Sequence, residues 1–137
     1  MEIIIDFPGG SRVDAHFRGH TLKTDQPPQD SAPAPFELFL SSIGTCAGIY
    51  VLGFCRQRNI PTDHIKIVQR QDFDPATGLA SKVYLDIQLP PDFPEKYKSA
   101  VIRAAEQCKV KKTLEHPPTF EVTTSQTDPG VPILARG

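Results

Sequence analysis

An uncharged segment of 18 residues, Leu38 to Cys55, constrains the fold more than any other part of this 137-residue chain. Its sequence, LFLSSIGTCAGIYVLGFC, reaches the lower length limit for a helix that crosses a membrane. The segment also contains serine, threonine and glycine, and no basic cluster beside it sets a membrane topology. A helix that is apolar on all sides must be surrounded, and protein can surround it as well as lipid can. We therefore favour a buried core helix over a membrane span.

The rest of the chain has the composition of one globular domain. A net charge of −1, from 15 basic and 16 acidic residues, gives no electrostatic reason to expect nucleic acid or a membrane as a partner. Three cysteines without a C-x-x-C pair predict neither a disulfide scaffold nor a structural zinc site. The acidic second residue and the short apolar run after it are not typical of a signal peptide. We expect a cytoplasmic protein with reduced thiols.

The hydrophobic period changes several times along the chain and predicts an α+β fold. Residues 1–126 are predicted to form one domain, and residues 127–137 a loosely structured tail. Helices are predicted from Pro35 to about Asn59, where Pro61 discourages continuation, and over residues 94–107 and 109–115. Strands are predicted at residues 3–5, 11–17, 20–25, 63–73, 81–89 and 119–125.

Two glycines four residues apart, Gly44 and Gly48, lie on one face of the long predicted helix. Each costs roughly 1 kcal/mol relative to alanine in a helix interior, so each needs a reason. Another backbone can approach closely there, either the protein's own sheet or the same helix of a second subunit across a two-fold axis. We favour the second subunit, because a single domain has few layers with which to cover an apolar helix.

The three thiols are the residues that could carry chemistry, although a cysteine in an apolar helix is also a small inert hydrophobe. At about 100° per residue, Cys46 and Cys55 point to opposite sides of the helix. A cooperating pair would therefore be Cys46 with Cys108, or Cys55 with Cys108.

A low pKa for Cys46 would need a cation from another segment, because a thiol in the middle of a helix gains nothing from the dipole. Arg12 and Arg18 in the N-terminal strands are candidates. Lys109, Lys111 and Lys112 could act in the same way on Cys108. The four histidines are scattered, without the spacing of metal ligands or of a catalytic triad.

Three segments resemble the OsmC/Ohr family of thiol proteins. They are PFELFLSSIGTCAGIYVLGF, with its cysteine in an apolar helix, AVIRAAEQCKV, with the second cysteine, and GGSRVDAHFRGH near the N-terminus. The resemblance implies an intertwined α+β homodimer, with antiparallel sheets around a long buried central helix. It also implies a peroxidase in which Cys46 attacks an organic hydroperoxide, Cys108 resolves the sulfenic acid to a disulfide, and a dithiol restores the enzyme. By position, Arg12 and Glu37 match the arginine and glutamate that hold the thiolate. No metal or organic cofactor is implied.

Two departures from the family pattern support an alternative function. The family's glutamate directly follows the proline, whereas Phe36 holds that place here and Glu37 comes one residue later. The family's second cysteine is usually followed by Pro-Tyr-Ser, whereas Cys108 is followed by Lys109-Val110-Lys111. The alternative is a non-catalytic dimer of this family that binds a small apolar ligand. A thiol sensor or hydrolase based on Cys46 is a third hypothesis, which lacks a histidine base.

Overall fold

A computed structural model describes residues 1–130 of the chain. The strands are β1 (Ile4–Gly9), β2 (Arg12–Phe17), β3 (His20–Thr24), β4 (Lys66–Phe73) and β5 (Ala80–Gln88), and the helices are α1 (Pro35–Gln57), α2 (Lys98–Ala105) and α3 (Lys109–Glu115). Their contacts form two compact units. The first contains Met1–Leu40 and the segment from Thr119 onward, and the second contains Ser41–Pro118. Helix α1 runs through the boundary between them.

In the first unit, the three N-terminal strands form an antiparallel sheet in the order β1-β2-β3. A buried carboxylate fixes the loop that leaves β3. One oxygen of Asp25 accepts hydrogen bonds from the Ser11 hydroxyl and from the backbone N–H of Gln26. The other oxygen accepts from the N–H and the hydroxyl of Ser31. These donors hold the pKa of Asp25 well below its ordinary value, with the Ser11 hydroxyl contributing most.

In the second unit, helix α1 packs one stripe of its surface into a small apolar core. The stripe consists of Ile43, Ala47, Val51, Phe54 and Cys55, which recur at helical spacing. The rest of the core comes from Phe93, Val101, Ala105 and Cys108, together with half-buried side chains of the antiparallel β4–β5 hairpin. This core joins α1 to the start of α3. Cys55 and Cys108 belong to it, and the half-buried Cys46 packs against it.

Capping interactions define both ends of α1. The side chain of Glu37 accepts a hydrogen bond from the backbone N–H of Ala34, which satisfies a donor at the start of the helix. At the other end, Asn59 adopts a left-handed conformation with φ of 54°, and the N–H of Ile60 bonds back to the carbonyl of Cys55 at 2.9 Å. The predicted end of the helix near Asn59 is confirmed.

The described residues leave much of α1 exposed. Ile49, for example, keeps 67% of its surface in solvent, and the helix is long and apolar enough to cross a membrane by length and composition. The prediction of a fully surrounded helix is therefore not met within this one chain.

Of the two partners considered for Gly44 and Gly48, the described structure shows the protein's own sheet, and the second subunit stays a prediction. A Cβ on Gly44 would meet the side chain of Gln69, and one on Gly48 would meet Ile67, both on β4 of the same chain. The glycine face is therefore used to bring the β4–β5 hairpin close to the helix.

The strand predicted at residues 119–125 does not form in the described structure. Phe120 and Val122, which carry its alternating pattern, are 87% and 93% exposed. An alternating sequence becomes a strand only when another strand supplies the hydrogen-bonding partners of its backbone. The single domain over residues 1–126 stays a prediction, and residues 131–137 of the predicted tail lie outside the described residues.

Candidate functional site

The second unit brings Cys46 of α1 and Cys108 at the start of α3 close enough for each thiol to act on the pKa of the other. The S–H of Cys108 donates to the carbonyl of Ile43, one turn before Cys46 on α1, with 3.8 Å between sulfur and oxygen. Cys46 is half-buried and Cys108 is buried, and both are free thiols. Of the two pairings that the sequence left open, the structure shows Cys46 with Cys108.

The backbone of the first turn of α3 acts on both sulfurs. The N–H groups of Val110 and Lys109 lower the pKa of Cys46. The N–H of Lys111 donates to the sulfur of Cys108, which caps the helix, at 3.4 Å. The first N–H groups of a helix have no partner within it, so thiols placed there satisfy them.

These contacts favour the ionised form of Cys46. Burial raises the pKa of the Cys46 thiol, but the N–H of Val110, the S–H of Cys108, and the N–H and charge of Lys109 together outweigh it. The net result is a pKa below the ordinary value for cysteine. A low pKa makes a thiol nucleophilic near neutral pH, which is the property that distinguishes a reactive cysteine from a structural one.

The other two thiols remain protonated over a wider range of pH. Burial raises the pKa of Cys108, and the neighbouring Cys46 raises it further, while the N–H groups of Lys111 and Val110 oppose this rise. Burial also raises the pKa of Cys55, against the opposing charge of Arg58. The pair therefore consists of one thiol with a lowered pKa, Cys46, and one with a raised pKa, Cys108.

A cavity of about 530 Å³ opens beside Cys108. Its walls are mostly apolar and come from β5, α2 and α3, with Val83, Leu85 and Val101 among them. Lys98 and Lys111 also line it. A space of this size and character can hold a small organic molecule next to the second thiol.

Arg12 and Glu37, the other predicted site residues, belong to the first unit. The guanidinium of Arg12 pairs with the buried carboxylate of Asp14 at 2.6 Å, and Glu37 caps α1 as described above. Arg18, the alternative to Arg12, lies in the turn after β2 and contacts the ring of Phe17. The proposed roles of Arg12, Arg18 and Glu37 at the thiolate stay predictions.

The first unit also contains a group of side chains that could hold a cation. Asp6, Asp14 and His16 offer ligand atoms within 4.8 Å of one another. The spacing of these residues in the sequence does not predict the group. It forms because Asp6 of β1 lies opposite Asp14 of β2, and His16 is two residues after Asp14 on β2. The ring of His16 already contacts Asp6 at 3.1 Å and Thr21 at 3.0 Å, so the side chains also pair among themselves.

The effect of Val110 and Lys109 on Cys46 is not apparent from the sequence. Lysines that follow Cys108 are expected to act on Cys108 itself, whereas the charge of Lys109 lowers the pKa of Cys46. The only signal in the sequence was that a helix begins directly after a cysteine, which places unpaired N–H groups beside a sulfur.

Comparisons with known proteins agree with this architecture. A family model described as OsmC-like protein matches residues 28–123. An OsmC-like protein from Mycoplasma pneumoniae has a TM-score of 0.66 at 14% identity, with 85% of this chain and 87% of that chain covered. The organic hydroperoxide resistance protein OhrB of Bacillus subtilis has a TM-score of 0.51 at 16% identity, with coverages of 85% and 93%.

A third solved structure, proposed to be an osmotic stress induced and detoxification response protein of Psychrobacter arcticus 273-4, has a TM-score of 0.68 at 19% identity, with coverages of 81% and 85%. No curated protein matches the chain. At these identities the structural likenesses establish the mixed helix and antiparallel-sheet fold, and the family model covers most of the sequence. This chain therefore belongs to the OsmC-like family.

Proposed function

We propose that this protein reduces organic hydroperoxides with Cys46 as the attacking thiol and Cys108 as the resolving thiol. The observation that carries the proposal is the packing of Cys108, from a distant part of the chain, against the turn of α1 that bears Cys46. The lowered pKa of Cys46 and the raised pKa of Cys108 support it. The likeness to a solved organic hydroperoxide resistance protein supports the same chemistry.

The two protonation states fit the two steps of such a reaction. The Cys46 thiolate attacks the outer peroxide oxygen, the O–O bond breaks, and the alkoxide leaves as an alcohol after taking a proton. Cys108 supplies a proton next to the reacting sulfur, and its own thiolate then attacks the sulfenic acid of Cys46. Hydroxide leaves and takes a proton from solvent to become water, while a Cys46–Cys108 disulfide forms. Thiol–disulfide exchange with an external dithiol then restores both thiols.

Mass spectrometry and kinetics together test this proposal. After treatment with one equivalent of cumene hydroperoxide, we expect the mass of the native protein to fall by that of two hydrogen atoms. A dithiol should return it to its starting mass. Cys46→Ser should abolish hydroperoxide consumption, and Cys108→Ser should stop at the sulfenic acid, which dimedone traps. Cys55→Ser is the matched control and should behave as the native protein. Consumption no faster than by a free thiol in solution would refute the proposal.

The cavity beside Cys108 supports a second candidate, which is binding of a small apolar ligand without chemistry. Its apolar walls bury organic groups as readily as they would bury the alkyl part of a hydroperoxide. An unchanged protein mass after hydroperoxide treatment, together with saturable binding of an apolar probe that Val101→Trp abolishes, would favour binding alone.

We further propose that the protein acts as a homodimer in the cytoplasm. Apolar side chains are exposed on α1 at Ile49 and at Phe120 and Val122. A second copy of the chain that covered these surfaces would remove them from water, which supports the dimer. Sedimentation equilibrium tests the dimer, and a concentration-independent monomer mass would refute it.

A further inference from the structure

The N-terminal sheet places two carboxylates opposite each other on one of its faces. Asp6 of β1 is the cross-strand partner of Asp14 of β2, so the two side chains lie on the same face. His16, two residues after Asp14, lies on that face as well, and each of the three offers a ligand atom within 4.8 Å of the other two. Like charges directly opposite each other destabilise a pair of strands. The two carboxylates therefore need positive charge close to them.

Arg12 supplies only part of that charge. One terminal nitrogen of its guanidinium pairs with Oδ2 of Asp14 at 2.6 Å. Asp14 is 5% exposed, and its Oδ1 has no hydrogen-bond partner in the described part of the chain. The Nε of Arg12 is also buried without a partner, so it makes no second bond to that oxygen. Lys23 of β3, opposite Asp14 in the sheet, forms no ion pair with either carboxylate among residues 1–130. A buried carboxylate oxygen without a donor is uncommon, and it indicates that a ligand satisfies it.

The imidazole of His16 has the orientation of a metal-binding histidine. Its Nδ1 contacts the hydroxyl of Thr21 at 3.0 Å, and its Nε2 faces Oδ1 of Asp6 at 3.1 Å. Histidines that bind a metal through one ring nitrogen usually form such a hydrogen bond through the other, which fixes the ring. Two ligands of one zinc-sized cation, each about 2.1 Å from it, lie roughly 3 to 3.5 Å apart, as these two atoms do. A hydrogen bond between His16 and Asp6 explains the same distance, but it leaves the buried oxygen of Asp14 unsatisfied.

We propose that Asp6, Asp14 and His16 form a binding site for a divalent transition-metal cation, with water completing its coordination. One imidazole nitrogen and two carboxylate oxygens are donors that suit ions such as Zn²⁺, Co²⁺ and Fe²⁺. The ion supplies the positive charge that the facing carboxylates need, and it joins β1, an edge strand, to β2. The site goes beyond the proposed reduction of hydroperoxides and does not depend on it, because that chemistry uses sulfur in the second unit.

Cobalt(II) is the probe, because its absorption distinguishes the possible donors. Coordination by nitrogen and oxygen gives weak visible bands, whereas a thiolate ligand adds an intense charge-transfer band in the near ultraviolet. We expect the native protein to bind one Co²⁺ with visible bands alone, and Zn²⁺ to displace it. Added Zn²⁺ should also raise the midpoint of thermal unfolding, because an ion that binds only the folded sheet stabilises it.

Substitutions of the ligands and of one supporting residue locate the ion. His16→Gln and Asp6→Asn should each weaken Co²⁺ binding at least about tenfold, because each removes a ligand. Thr21→Val should weaken it by about tenfold, because it removes the partner that orients the ring of His16. His64→Gln replaces an exposed histidine of the second unit and is the matched control, which should bind Co²⁺ as the native protein does.

Three results would overturn the proposed site. Native affinity in both His16→Gln and Asp6→Asn would show that the ion binds elsewhere. A spectrum with the thiolate band alone would place the ion at the cysteines. Binding that does not saturate at millimolar Co²⁺ would show that no site exists. If a variant fails to fold by circular dichroism, nuclear magnetic resonance of the native protein decides: Co²⁺ should shift the ring protons of His16 far more than those of His64, and equal shifts would refute the site.

Discussion

Removal of the Cys108 thiol should make Cys46 harder to ionise. In the native protein the Cys108 thiol lowers the pKa of Cys46 as a hydrogen-bond donor, and Cys108→Ala deletes that donor without adding a charge. A hydrogen bond to a charged acceptor contributes about 1.5–3 kcal/mol. The S–H group is a weak donor and Cys46 is partly exposed, so we take about 1 kcal/mol. That energy corresponds to about a fivefold smaller thiolate population below the midpoint.

Alkylation of Cys46 across pH 5 to 10 measures this effect, with the midpoint as the readout because the variant also changes access to the sulfur. We expect the midpoint to move to higher pH in Cys108→Ala and to stay in place in Cys55→Ala, whose thiol faces the opposite side of α1. The sign extends to folding. Since the Cys46 pKa is lower in the folded chain, its stabilising contribution is present above the unfolded pKa and is lost as pH falls through the folded pKa. An unchanged or lowered midpoint in Cys108→Ala would refute the assigned hydrogen bond.

Four further predictions concern the scaffold. Asp25→Asn should destabilise the fold at pH 7 and make its stability less sensitive to acid, because the depressed pKa of Asp25 gives stability that is present above about pH 4 and lost in acid. If urea titrations show the same loss of unfolding free energy between pH 5 and pH 2.5 in the variant and the native protein, the prediction is contradicted. Gly48→Ala should raise stability by about 0.5–1 kcal/mol through helix propensity, because the new Cβ lies at an ordinary 3.8 Å from Ile67. Gly44→Ala should gain less in the same urea titration, because its Cβ would lie 2.5 Å from the Gln69 side-chain oxygen. Val101→Ala, at a fully buried site, should cost about 2–3 kcal/mol, and a loss below 1 kcal/mol would mean that the core closes around the cavity.

Local patterns predicted most of the elements. Helix α3 has the predicted bounds, the β4–β5 hairpin follows the alternation of Val83, Leu85 and Ile87, and α1 begins at the predicted Pro35. These features depend on the spacing of hydrophobic residues and on the residues that begin or end an element. Both are local properties that a single sequence contains. The strand expected around Phe120 failed because strand formation depends on a partner, and no local pattern specifies where that partner lies.

The chemistry of the site was predictable only in part. The resemblance to a thiol family indicated the pairing of Cys46 with Cys108. Spacing alone did not distinguish that pairing from Cys55 with Cys108. No local pattern connects Lys109 with Cys46, because its effect on the Cys46 pKa depends on how α3 packs against α1. Likewise, Gly44 and Gly48 marked a close approach correctly, but their spacing did not distinguish a strand of the same chain from a second helix.

The cap on α3 has a consequence for the stability of that helix during turnover. With seven residues, α3 is too short to persist on its own, and the N–H of Lys111 in its first turn uses the Cys108 sulfur as its acceptor. A disulfide at that sulfur would change this acceptor. Backbone order from Lys109 to Glu115 should therefore change with the redox state of the protein, so that amide exchange in this short helix would report the chemistry of the two thiols.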